Sequence, residues 1–202
     1  MKKLLFFFLF SLWACTCLQA QSLELMAGDK QVFADVQWLK PLDRQFRWSV
    51  FSRTRATLDY DNHPNIFTGA YLNYTTKAGL GASLVGKIGS SGGGVDAGLH
   101  IFKNRKNWML FGLASVGLKK APEYSWFSIF RFTPPLFSDW KLYTSLELYT
   151  LFNNSGHIYS LQRLRAGLDK KGWQFGLASE LSGTGNEFRT SSNTGLFFRK
   201  SF

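Results

Sequence analysis

Gln45-Phe46-Arg47-Trp48-Ser49-Val50-Phe51-Ser52-Arg53-Thr54-Arg55-Ala56-Thr57-Leu58-Asp59-Tyr60 decides the fold of this chain. Its even positions include Phe46, Trp48, Val50, Ala56, Leu58 and Tyr60, while Arg47, Arg53, Arg55 and Asp59 fall on odd positions. Helices repeat their apolar residues every three to four positions. Strict alternation belongs to a strand with one apolar and one polar face. The same split recurs along the chain. Trp140, Leu142, Leu146, Leu148 and Phe152 oppose Lys141, Tyr143, Ser145, Glu147 and Tyr149. Trp173, Phe175, Leu177 and Leu181 oppose Gln174, Gly176, Ala178 and Glu180. Val95, Ala97, Leu99 and Ile101 oppose Asp96, Gly98 and His100, and Val32, Ala34, Val36 and Trp38 oppose Gln31, Asp35 and Gln37.

Turn-forming residues separate these runs. The breaks fall at 28–29, 40–44, 61–65, 77–79, 90–94, 104–107, 119–123, 134–139, 153–156, 169–172 and 183–192. Eleven breaks predict twelve strands, with Leu23 to Ala27 a short and weak first one. Ten strands is the alternative, fusing or discarding elements near the N-terminus. A tight turn at Asp169–Gly172 predicts Arg165 opposite Gly176 and Arg163 opposite Ala178. The turn at Asn153–Gly156 predicts Glu147 opposite Arg163, and these registers keep like faces together. Ser90 to Gly94 lacks the Lys-Ser/Thr and the helix of a phosphate-binding loop, so it reads as a flexible loop.

The N-terminus reads as an export signal. Lys2 and Lys3 precede an apolar run from Leu4 to Trp13 broken only by Ser11, too short for a permanent membrane helix. Leu18-Gln19-Ala20 then offers a cleavage site. Residues 1–20 are expected to be a signal peptide, and residues 21–202 a single domain. Lipoprotein processing at Cys15 is the competing reading, although Trp13 is bulky for that motif. Cys15 and Cys17 are the only cysteines, so the exported chain has no disulfide and no thiolate metal site. No cofactor is implied. The formal charge is +11, which suits nucleic acid, anionic lipid or an anionic solute. Export excludes nucleic acid as a partner.

Alternation alone does not say which face is inside, because soluble barrels point their apolar residues inward. Three features point to the inverse, membrane-facing arrangement. Trp38, Trp108, Trp140 and Trp173 each lie beside a break, and all four breaks fall on one side of an up-and-down meander. Indoles favour the membrane interface, so these form half of an aromatic girdle. Runs of about ten tilted residues span the apolar layer, where only helices and closed barrels satisfy every backbone group. The last seven residues, Leu196-Phe197-Phe198-Arg199-Lys200-Ser201-Phe202, end on an aromatic residue.

That ending resembles outer-membrane β-barrel proteins, whose last strand closes on Phe and is read by the barrel-assembly machinery. Phe198 and Phe202 match the family's outward apolar positions as the assembly signal, and Lys200 departs from the pattern. The segments 51–56, 71–77, 125–129, 140–143 and 197–200 resemble uncharacterised small barrels of Bacteroidota-type outer membranes. The resemblance implies an all-β transmembrane antiparallel up-and-down barrel in the outer membrane, with outer-membrane lipids and the assembly machinery as partners. It implies no activity.

With the polar face inward, the basic lumen candidates are Arg47, Arg53, Arg55, Lys87, Arg131, Lys141, Arg163, Arg165 and Arg199. The acidic ones are Glu24, Asp35, Asp59, Asp96, Glu147 and Glu180. Arginines lining a pore bind carboxylates and phosphates bidentately. Arg53 and Arg55 on the third strand, and Arg163 and Arg165 on the tenth, are expected to form two opposed basic tracks at mid-height. This would make a narrow passive channel for small anionic solutes, by analogy with barrels of this size that carry acidic oligosaccharides. Inward ion pairs such as Glu147 with Arg163 would instead fill a closed structural barrel. A subunit of a larger outer-membrane complex, with other membrane proteins as partners, is a further class. A lipid hydrolase needs a serine beside a histidine. Of His63, His100 and His157, none has a serine at same-face spacing along its own strand.

Overall fold

The computed structural model describes residues 21–202 except Asn62 and Ser91. The expected signal peptide and Cys15 lie outside the described residues. The chain forms β1 (Gln21–Gly28), β2 (Gln31–Pro41), β3 (Trp48–Asp59), β4 (Pro64–Thr75), β5 (Leu80–Gly89), β6 (Gly92–Asn104) and β7 (Trp108–Gly117). There follow β8 (Tyr124–Phe132), a three-residue β9 (Pro135–Phe137), β10 (Trp140–Asn153), β11 (Gly156–Lys170), β12 (Trp173–Thr184) and β13 (Arg189–Ser201). Every long strand pairs antiparallel with its chain neighbours, β8 pairing directly with β10. β13 pairs with β1, from Ser22 opposite Ser201 to Gly28 opposite Gly195. Twelve strands therefore close an up-and-down barrel. The short β9 flanks the connection between β8 and β10.

The side chains are sorted inside out relative to a soluble protein. Leu99, Leu177, Leu196 and Leu164 are 73 %, 64 %, 65 % and 53 % exposed, whereas Glu24, Asp35, Glu147 and Arg163 are only 1–2 % exposed. Soluble monomers rarely expose continuous apolar surface. In hydrocarbon, closure satisfies the backbone edges and the outward leucines meet lipid. The fold is a transmembrane barrel.

Both described chain ends lie at one end of the barrel, here the terminal end. Trp38, Trp108, Trp140 and Trp173 stand there on outward positions, and Trp48 joins them, its ring 4.9 Å from Tyr74. Lys200 Nζ lies 4.4 Å from the Trp173 ring centroid, and Phe198 packs on the same indole at 5.2 Å. A lysine at this outward position therefore covers an interfacial ring, keeping its ammonium at the polar boundary. At the far end Tyr60, Tyr124, Trp126 and Phe152 are exposed.

Several expectations need correction. β1 is eight residues long and paired on both sides. The polar stretch 183–192 is mostly strand, with only residues 185–188 as its loop, and Gly92 to Gly94 belong to β6. Arg165 lies opposite Ala178 and Arg163 opposite Glu180, two residues from the expected register. The cause is a two-residue turn with positive φ at Lys171 (52°) and Gly172 (81°), the geometry that matches strand twist in tight hairpins. Glu147 does lie opposite Arg163. No connection among the described residues is longer than seven residues, so wall side chains supply most of the interior lining, with Lys30, Phe46 and Ser90 of the turns at its ends.

Candidate functional site

The interior is built from inward positions of all twelve long strands. At mid-height, β2, β3, β10, β11, β12 and β1 supply a charged network. The Arg53 guanidinium donates through Nε to Asp35 Oδ1 and Oδ2 at 3.0 and 2.8 Å, and through Nη1 and Nη2 to Glu147 Oε1 and Oε2, each at 2.9 Å. Arg55 Nη2 donates to Glu147 Oε1 at 2.7 Å. Arg163 Nε donates to Glu180 Oε2 at 2.8 Å, and its Nη1 lies 3.6 Å from Glu147. Arg165 Nε donates to Glu24 Oε1 at 2.7 Å, with Nη1 3.9 Å from Glu147. Planar guanidinium groups suit such forked contacts. They also stack: Arg163 and Arg55 lie 4.2 and 5.1 Å from the Phe33 ring centroid, and Phe33 packs with Met26, Tyr143, Ala178 and Phe197.

The arginines of the third and tenth barrel strands (β3 and β11) thus converge on Glu147 instead of facing one another as free tracks. Four arginines meet four carboxylates, so the expected positive region at mid-height is compensated. Three of the lumen candidates lie elsewhere. Arg47 sits in the turn before β3, 45 % exposed along its side chain and 3.7 Å from Asp43, because the strand begins only at Trp48. Lys141 is exposed at the terminal mouth, opposite Asp169. Asp59 stands at the far rim, accepting a bond from the His63 backbone N–H at 2.7 Å. Lys87 donates to Asp96 at 2.6 Å. Inside remain seven basic residues, Arg53, Arg55, Lys87, Arg131, Arg163, Arg165 and Arg199, against the five acids Glu24, Asp35, Asp96, Glu147 and Glu180.

The opposite wall, β4 to β8 with Phe51 of β3, is different. Tyr71, Val85 and Leu113 form a buried apolar cluster, with Phe51 and Phe111 packed against it. Phe127 and Ile129 are also buried. Inward aromatic and aliphatic residues on this wall were not anticipated, because alternation marks faces without saying that a lumen face must be polar.

Free space lies on either side of the network. A cavity of about 570 Å³ toward the far end is lined by Lys87, Asp96, Glu147, Tyr149, Arg163 and Glu180 among others. A second, of about 370 Å³, opens toward the terminal end and is lined by Gln37, Asn73, His100, Phe111, Arg131 and Arg199 among others. Phe127 contributes to both walls. No Asp or Glu side chain is among the described residues lining the terminal-end cavity. The two positive charges in excess are those of Arg131 and Arg199. The rims carry a steeper imbalance. At the terminal end Lys40, Arg44, Arg47, Lys77, Lys103, Arg105, Lys106, Lys141, Lys170, Lys171 and Lys200 stand against Asp43, Asp139 and Asp169. At the far end Lys30, Lys119, Lys120 and Arg189 stand against Asp29, Asp59, Asp61, Glu123 and Glu187.

A serine–histidine contact exists that spacing along single strands could not reveal. Ser83 Oγ on β5 lies 2.7 Å from His100 Nδ1 on β6. The serine hydroxyl donates to Asn73 Oδ1 at 2.7 Å, and Thr75 Oγ1 lies 2.9 Å from His100 Nε2. Ser83 is 5 % exposed and is not among the residues lining either cavity. Its proton is committed to an amide oxygen, and a hydroxyl stands where an acid or amide would orient the imidazole. The group acts as a hydrogen-bond chain tying β4, β5 and β6 together.

No family model matches the chain, and no curated protein matches it in sequence. Solved structures do resemble it. A KdgM porin, solved also in complex with disordered oligogalacturonate, is 11 % identical, with a TM-score of 0.54 over 91 % of this chain and 99 % of that one. A NanC porin is 8 % identical, with a TM-score of 0.56 over the same shares. At such identities the likeness is one of fold, and the fold it shows is that of small porin-like outer-membrane barrels.

Proposed function

We propose that this chain is an outer-membrane barrel, of the small Bacteroidota type its segments resemble, that acts as a narrow passive channel favouring small anionic solutes. The observation that carries the reading is the pair Arg131 and Arg199, hydrogen-bonded only to neutral groups, in a cavity without Asp or Glu side chains. The basic terminal rim adds to it, since like-charged mouths raise the local concentration of counter-ions. The fold likeness to a KdgM porin that holds oligogalacturonate, an anionic polymer, supports the same direction. Export, outer-membrane lipids as surroundings and the assembly machinery as reader of Phe198 and Phe202 belong to this proposal.

The compensated network at mid-height favours a second reading, a closed barrel or a subunit of a larger complex, because four arginines and four acids fill the lumen between the two cavities. Reversal potential across a salt gradient, measured on purified protein in planar bilayers, separates the two. Anion-selective conductance supports the channel, absent conductance supports the closed barrel, and cation selectivity overturns the anion preference.

A further inference from the structure

The geometry points to the terminal-end cavity as a binding site for a monocarboxylate with an apolar body, an aryl or short alkyl acid. This deepens the anion preference proposed above and names its ligand class.

Arg131 and Arg199 reach the cavity from β8 and β13. Arg131 Nη2 donates to Gln37 Oε1 at 3.3 Å, and Arg199 Nη2 donates to the same oxygen at 3.4 Å. Two guanidinium groups therefore converge on one neutral acceptor. The other hydrogen bonds of Arg199 are also to neutral groups, the Ser22 hydroxyl at 2.8 Å and the Tyr143 hydroxyl at 3.3 Å. Its closest carboxylate, Glu24, stands 3.7 Å away and already accepts from Arg165. The Nε atoms of both arginines are enclosed and have no hydrogen-bond partner. Arg199 itself is only 4 % exposed. The mid-height arginines, by contrast, each lie against at least one carboxylate. Two enclosed like charges that share a neutral acceptor suit an anion, since a carboxylate can accept from both guanidinium groups.

The rest of the wall decides what the anion is attached to. Phe127 and Ile129 share a strand and a face with Arg131, Met109 pairs across from Arg131, and Phe111 follows on the same strand as Met109. Phe111 and Phe127 meet edge to face at 6.0 Å between centroids. A sugar acid seated against these side chains would leave the hydroxyls on that side unpaired, although Ser22, Ser49, Asn73 and Thr75 line other parts of the cavity. An apolar body would be buried by the apolar side chains, and about 370 Å³ lies within the range of small-molecule pockets.

The test is calorimetric titration of the purified, folded full-length barrel with 4-phenylbutyrate, beside the neutral 4-phenylbutanol and the hydrophilic anion gluconate. Phenylbutyrate is expected to bind at least tenfold more tightly than either. Arg131→Gln is expected to weaken it about tenfold, and Arg189→Gln at the far rim to leave it unchanged. Equal binding of acid and alcohol, no binding of the acid, or gluconate binding as well as phenylbutyrate overturns the proposal. The ligand series uses the unaltered protein, so it decides the matter even where a variant misfolds. Binding without conductance leaves this site standing and removes the channel. Anion-selective conductance without binding does the reverse.

Discussion

The two walls of this barrel differ in the balance of charge and apolar bulk they present to the interior. The wall around the β1–β13 seam, from β10 through β13 and β1 to β3, carries arginines and carboxylates cross-linked over the lumen. The wall from β4 to β8 carries Tyr71, Val85, Leu113 and Phe127. The apolar wall gains from burial and tolerates partial loss. The charged wall desolvates its ions and is stable only while each has a partner. The first should be plastic and the second brittle.

The largest expected effect tests that difference. Glu147 meets Arg53 and Arg55 directly and lies within 4 Å of Arg163 and Arg165. Glu147→Gln should destabilise the barrel by about 3–5 kcal/mol, the cost typical of leaving a buried charge unpaired. Leu113→Ala on the other wall should cost about 2–5 kcal/mol, toward the lower end if the neighbouring rings relax. Urea unfolding in lipid vesicles measures both. A greater loss for Leu113→Ala would reverse the comparison.

The next contrast sets the outside of the wall against the inside. Leu177 is 64 % exposed on the lipid face. Leu177→Arg should disfavour folding by about 2–4 kcal/mol near the midplane. Ser115, which lines the far-end cavity, should accept arginine at smaller cost. Ala178 is a poor comparator because it is packed among Met26, Phe33, Tyr143 and Phe197. Equal cost at positions 177 and 115 would mean that lipid and lumen are wrongly assigned.

Selectivity is the finer probe. Arg131→Gln with Arg199→Gln should shift the reversal potential toward cations, because neither guanidinium is hydrogen-bonded to a carboxylate. Lys106→Gln, in an exposed terminal-end turn, should have the smallest effect of all. It should vanish near 1 M salt, where the screening length is about 3 Å. A larger shift from Lys106 than from the arginine pair would place selectivity at the rim.

Strand number and facing were legible in the sequence because a barrel in lipid imposes period two on every strand. The inward set shrank at its ends. Arg47 and Asp59 continue the alternation of β3 but lie at or beyond the ends of the paired wall, where facing loses meaning. Polar residues at 183–192 read as loop although they are strand, since serines and threonines facing a lumen have no apolar signature. The turn at Lys171–Gly172 was misread because lysine seldom adopts positive φ. The pairs Arg53 with Glu147 and Arg165 with Glu24 are separated by 94 and 141 residues. No local spacing encodes them. They exist because the closed ring brings inward positions of distant strands within side-chain reach.

The ring also imposes an order in time. Its seam joins Ser22 to Ser201, the earliest and the last described strands to leave the ribosome. Until β13 arrives, β1 has one row of amides and carbonyls without partners, and in hydrocarbon each such group costs several kcal/mol. Glu24 waits nearly as long, since Arg165 is translated 141 residues later. The nascent chain therefore cannot enter the bilayer hairpin by hairpin with its final contacts in place. Its first described strand must be kept from pairing with other edges, its own copies included, until β13 is made.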